Sequence, residues 1–227
     1  MGNSLRWIEL GRKDYFETWQ IQQEIFRKVK AGTEPDTIIL VEHPHTITFG
    51  KTSQKTHLLL NAQELQNRGI SVYDIDRGGD VTYHGPGQLV SYPILNLQHY
   101  KKDIHWYLRC LETVVIETLK FFSIQAGRLN MADSQKNYTG VWVGQEKICA
   151  IGVKVSHWVT MHGLALNINT NLSFFDFIVP CGISDKKVTS MKNLCGHELA
   201  INDVIYEFKK NFENYFNSVP LQTKSIS

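Results

Sequence analysis

The stretch Arg77-Gly-Gly-Asp-Val-Thr-Tyr-His-Gly-Pro-Gly-Gln-Leu-Val-Ser-Tyr-Pro93 crowds four glycines and a proline into residues 77–87, around Arg77, Asp80, Thr82, Tyr83 and His84. Glycine permits positive φ and close backbone approach, and such loops can cradle a ligand with backbone N–H groups. No Gly-Lys-Ser/Thr succeeds the glycines, which excludes a phosphate-binding P-loop. The residues after Gln88 read as a strand rather than a helix, which excludes a dinucleotide fingerprint. Residues 81–83 and 89–95 read as strands on either side of His84-Gly-Pro-Gly87, so the plainest reading is a tight turn embedded in β-structure.

Upstream, residues 13–30 carry Tyr15, Trp19, Ile25, Phe26 and Val29 near the helical period, with Gly32 as the C-cap. The β-branched run 37–41 is a strand, His43-Pro-His45 breaks it, and residues 46–49 resume extended structure. A loop carrying Lys51 and Lys55, a short helix over 62–68 closed by Gly69, and an extended segment over 70–75 deliver the chain to Arg77. Downstream, Asp103 caps a long helix reaching about Phe122, and Cys110 within it reads as buried filler. Residues 140–143 and 148–155 form a hairpin turning at Gly144, Gln145 and Glu146. A connection over 157–162 then leads to a strand over 163–169. Residues 171–180 form a loop carrying Phe174, Phe175 and Phe177; a helical turn over 190–194 and a last helix capped by Asp203 complete the chain. This order of elements predicts an α+β fold with a mixed, largely antiparallel central sheet packed by helices, and not a doubly wound one.

At 227 residues the chain fits a single domain over 1–227. A 42% hydrophobic and 20% charged composition excludes disorder, and a net charge of +2 is too mild for a nucleic-acid binder. No apolar run approaches the length of a membrane span. The four cysteines, Cys110, Cys149, Cys181 and Cys195, form no Cys-x-x-Cys pair. The expectation is a cytoplasmic protein with reduced thiols, without nucleic acid or membrane as partner.

Cys181 stands apart between Pro180 and Gly182, outside any periodic pattern. A thiol with a pKa near 8.5 needs a cationic neighbour to act as a nucleophile at neutral pH. Lys147, Lys154, His84 and His162 are the candidates, and the residues themselves leave the choice open. The bland readings are a hairpin-surface lysine for Lys147 and an outward strand residue for Lys154. A metal reading would draw on His43, His45, His84, His162 and Cys181, but no pair has a ligand spacing, so no metal is expected.

Several ordered blocks carry a resemblance. Residues 77–93, Val41-Glu-His-Pro-His-Thr46, Gly140-Val-Trp-Val143, Lys147-Ile-Cys-Ala-Ile-Gly152, Met161-His-Gly-Leu-Ala-Leu-Asn167 and Pro180-Cys-Gly182 together resemble the bacterial-type octanoyltransferases of lipoate biosynthesis. These belong to the biotin/lipoate protein ligase superfamily. The resemblance implies that fold, and transfer of an octanoyl group from octanoyl-acyl carrier protein to a lysine of lipoyl domains. The acceptors are then 2-oxoacid dehydrogenase complexes and the glycine cleavage H protein. It implies Cys181 as nucleophile, forming a thioester intermediate, and Lys147 as the residue that lowers its pKa. It further implies substrate binding by Arg77, Gly78, Gly79, Asp80, Val81, Thr82, Tyr83 and His84, by Ala150, Ile151 and Gly152, and by Gly163, Leu164 and Ala165. No cofactor is implied beyond the phosphopantetheine carried by the donor. The alternatives are an ATP-dependent lipoate or biotin protein ligase, and a non-catalytic lipoyl-domain-binding protein.

Overall fold

A computed structural model describes residues 5–129, 139–179 and 187–217. In chain order it contains β1 (Arg6–Arg12), α1 (Tyr15–Ala31), β2 (Thr37–Glu42), β3 (Thr46–Phe49), α2 (Ala62–Asn67), β4 (Ser71–Asp74), β5 (Thr82–His84) and β6 (Gln88–Ile94). Then come α3 (Ile104–Phe121), β7 (Gly140–Val143), β8 (Glu146–Ser156), β9 (Val159–Asn167), α4 (Met191–Cys195) and α5 (Ile201–Asn217).

Six strands form one sheet in the order β1-β2-β6-β9-β8-β7, in which only β1 and β2 run parallel. A smaller sheet, β4-β3-β5, carries one parallel and one antiparallel pairing. The run 37–41 is uniformly apolar after Thr37 because β2 is covered on both faces. Ile38 and Leu40 join the core under α3 and α5, while Ile39 and Val41 join the core under α1. The smaller sheet has a third core, built from Ile47, Phe49, Val81, Tyr83 and the aromatic 3-10 turn Leu172–Phe177.

Local chemistry explains the helix ends. Asp14 accepts hydrogen bonds from Phe16 and Glu17 N–H and starts α1, and Gly32 ends it in the left-handed conformation at φ 72°. Asp103 caps α3 through Trp106 N–H.

Two expectations need correcting. Residues 157–162 are not a connection, because β9 already begins at Val159 and pairs with β8 back to Ser156. The turn is only His157-Trp158, with φ of 52° and 65°. That is the pair of left-handed residues a two-residue hairpin needs, here without the Asn-Gly signature that usually announces it. Asp203 likewise lies in the first turn of α5 rather than at its cap, where its charge still suits the positive end of the helix dipole.

Candidate active site

The glycine-rich stretch bridges the two sheets. Gly78 N–H donates to Val153 O on β8 at 2.9 Å, while Lys51 N–H and Thr52 N–H, beyond β3, donate to the carbonyls of Arg77 and Gly79. The buried Arg77 guanidinium donates to Thr48 O and Oγ1 at 2.9 and 3.0 Å. Its stem lies over Gly152: a Cβ there would fall 2.8 Å from Gly78 O and 3.1 Å from Arg77 Cδ. Only glycine at 152 lets the loop settle on the sheet.

Alternation then separates the predicted binding residues. Val81 and Tyr83 face the small sheet's own core; Tyr83 stacks on Phe174 and places its hydroxyl 2.8 Å from His45 Nδ1. Tyr83 is therefore a core residue of the small sheet. Thr82 and His84 take the opposite face with their cross-strand partners Thr48 and Thr46. Asp80 accepts from Val81 N–H, and its Oδ2 lies 2.7 Å from His57 Nδ1. On the large sheet Ala150 pairs with Ala165 and Gly152 with Gly163, making a patch of small residues on the face turned toward α1. Ile151 and Leu164 point the other way, into the α3 core.

Three buried histidines surround Arg77's neighbourhood. His43 Nδ1–H donates to Lys13 O and its Nε2 accepts from Tyr92 O–H, both at 2.8 Å. His84 Nδ1–H donates to Gln88 Oε1 at 2.9 Å, and Gln88 in turn holds Asn167. Burial pushes His43 down to about 4 and His84 down to about 3, so both are neutral at physiological pH. His162, also held low by burial, adopts φ 59° and donates from Nε2 to Asp76 Oδ1 at 2.9 Å. The Asp76 carboxylate is held well below the usual range, chiefly by that bond and also by Lys154, whose ammonium pairs with its other oxygen.

This arrangement sorts the candidate partners of Cys181. Lys154 is engaged by Asp76, and His84 and His162 are enclosed. Lys147 sits elsewhere. Its backbone N–H donates to Lys187 O at 2.9 Å and its carbonyl accepts from Thr189 N–H at 3.0 Å. Val179 N–H donates to His57 O. Pro180, Cys181 and Gly182 lie outside the described residues, but the segment after them is tied to the backbone of Lys147.

A β-bulge decides which way Lys147 faces. Val141 pairs with Cys149 but Trp142 pairs with Lys147, leaving Ile148 as the extra residue. Ile148 and Cys149 both enter the α3 core. Lys147 instead lies with Gly140, Trp142 and Ala150: its Nζ is 4.8 Å from the Trp142 ring centre. On a regular strand Cys149, two residues further on, would share a side with Lys147; the bulge puts it on the opposite side. Burial raises the Cys149 thiol and raises Cys110 to about 12, so neither is poised as a nucleophile.

Asp76 carries no motif of its own in the sequence. Its partner His162 is 86 residues away, and only its place directly before Arg77 marks it.

The lipoyl protein ligase A/B catalytic domain matches residues 14–213. The chain is 45% identical over 219 residues to an octanoyltransferase of Solibacter usitatus, covering 96% of each chain. It is 43% identical to one of Flavobacterium johnsoniae, covering 90% of this chain and 93% of the relative. The chain belongs to the lipoyl protein ligase A/B catalytic-domain family. A putative lipoate protein ligase from T. acidophilum with bound lipoic acid shares the fold, with a TM-score of 0.75 at 15% identity, covering 92% of this chain and 85% of that one. Within the family the sequence relatives place the activity: an acyltransferase that moves octanoyl groups in protein lipoylation. No helix among the described residues is long and apolar enough to cross a membrane. Among the described residues, no group of three or more His, Cys, Asp or Glu side chains could hold a metal ion.

Proposed function

We propose that the chain works as one domain over 1–227, in the cytoplasm, taking octanoyl from octanoyl-acyl carrier protein through a Cys181 thioester. The observation that carries this reading is the pairing of Lys147 with the segment 187–189, shortly after the Cys181 loop. A lysine beside a thiol favours a thiolate–ammonium pair. The Cys181 thiolate attacks the donor thioester carbonyl, and the C–S bond to phosphopantetheine breaks. Lys147 gives its proton to the leaving thiolate. The neutral amine of a lipoyl-domain lysine then attacks the acyl-enzyme, Lys147 accepts the amine's proton, and Cys181 departs as thiolate. The cycle closes on the starting pair. No ATP or cofactor enters, because the thioester is already activated.

The small-residue face at Ala150, Ala165, Gly152 and Gly163 suits an alkyl chain lying flat on the sheet, with Arg77 over Gly152 closing one end. Burial at about 0.8 kcal/mol per CH₂ contributes several kcal/mol to binding, while one methylene discriminates by only about 1–3 kcal/mol. Acceptors on this reading are lipoyl domains of 2-oxoacid dehydrogenase complexes and the glycine cleavage H protein.

Intact-mass analysis after incubation with octanoyl-acyl carrier protein tests the reading. The expected result is an octanoyl adduct on Cys181 that passes to an apo lipoyl domain without ATP. An ATP-dependent acyl adenylate, or transfer by Cys181→Ala, would overturn it.

A further inference from the structure

Glu112 is 1% exposed on α3, yet it carries a carboxylate in the middle of an apolar helix face. Burying such a group is costly unless every lone pair is used. Its Oε2 accepts from Arg109 Nη1 and Arg128 Nε at 2.6 and 2.7 Å. Its Oε1 is engaged differently: it accepts from the backbone N–H of Gly140 at 3.1 Å, the first residue of β7.

Gly140 is no ordinary strand residue. Its φ is 136°, and a Cβ there would fall 2.6 Å from Cys149 O and 3.6–3.7 Å from Lys147 Cε and Cδ. The stem of Lys147 thus passes over Gly140 before its ammonium meets Trp142. Gly127 closes the same edge, exchanging both backbone hydrogen bonds with Trp142. Lys147 therefore rests on a seat formed by the start of β7, and Glu112 is a side chain that grips that start.

We propose that Glu112 is a positioning residue, which fixes Gly140 and thereby the height at which Lys147 stands over the strand. The inference rests on the reading that Lys147 tunes Cys181. It assigns Glu112 no contact with substrate.

The test is the pH profile of Cys181 alkylation by iodoacetamide, read by intact mass in the full-length chain carrying Cys195→Ser to remove the half-buried thiol. Glu112→Ala should raise the midpoint by about one pH unit, in the same direction as Lys147→Met. Glu112→Gln, whose amide oxygen still accepts from Gly140, should hold the midpoint near that of the unsubstituted chain. Glu112→Asp keeps the charge but withdraws from Gly140 by one methylene; it should shift like Ala, and serves if the Ala variant fails to fold. An unshifted midpoint in folded Glu112→Ala or Glu112→Asp, with Lys147→Met shifted, overturns the inference alone. A Gln shift as large as that of Ala also overturns it, because charge rather than the Gly140 bond would then be at work. If Lys147→Met shifts nothing, the reading of Lys147 falls and this inference with it.

Discussion

Lys147 and Lys154 stand on the same strand, seven residues apart, and the bulge at Ile148 puts Lys147 on the face that Lys154 shares with Ala150 and Gly152 by alternation. Their surroundings differ. Lys154 is closed into an ion pair with Asp76, which His162 also holds. Lys147 lies at the other end of the small-residue patch, its backbone paired with the segment after Cys181. One ammonium holds the glycine-rich loop's approach to the sheet; the other lies over the Trp142 ring. Residue type, strand and face are shared by the two, so the difference teaches that a lysine's surroundings are set by its neighbours across the fold.

The largest effect should come from replacing Lys147. Lys147→Met is expected to lower single-turnover acyl transfer by about a hundredfold or more, with little change in melting temperature. A loss below tenfold would remove Lys147 from the chemistry. The closed end should be the acid-sensitive one. His43 and His84 are buried neutral with pKa values near 4 and 3, against 6.5 unfolded. The unfolded chain therefore binds more protons below pH 6.5, and stability falls as pH drops from 6.5 toward 4. Each histidine should cost about 2 kcal/mol by pH 5, measurable as a denaturation midpoint that recovers in part in His43→Gln. A midpoint flat between pH 7 and 5 would contradict their neutral burial.

Gly152→Ala sharpens the boundary between the two ends. Its Cβ would meet Gly78 O at 2.8 Å, so the loop must lift, at about 1–3 kcal/mol of stability. A shift in relative rates with hexanoyl, octanoyl and decanoyl donors is expected if the loop closes the acyl surface; an unchanged ranking would detach it from that role. The smallest effect belongs to Lys154→Met. The pair is partly exposed and screened, so about 1 kcal/mol of stability is expected to be lost, with acyl transfer retained within tenfold. A loss of transfer as large as that of Lys147→Met would erase the distinction between the two lysines.

Much of the fold was legible because it is local. Gly32 ends α1, Asp103 starts α3, and the run 37–41 forms a strand buried on both faces. The hairpin turn at His157-Trp158 was not legible, because two bulky residues at positive φ oppose the usual turn preferences and are held there by the β8–β9 ladder. The arrangement of the candidate site was legible only in part. The blocks at 77–84, 150–152 and 163–165 were found as sequence, but not that Tyr83, Ile151 and Leu164 turn into cores while Ala150, Gly152, Gly163 and Ala165 share one face.

By itself the sequence determined most of the elements, the caps at Gly32 and Asp103, and the family, since these rest on nearest neighbours, on periodicity and on motifs a few residues long. Only the tertiary structure decided that Lys147 faces the small-residue patch, that Lys154 is bound by Asp76, and that Glu112 grips Gly140. The physical reason is that one extra residue in a ladder changes which face a side chain takes. Likewise, a buried charge must find partners wherever the packing brings them, at any separation along the chain.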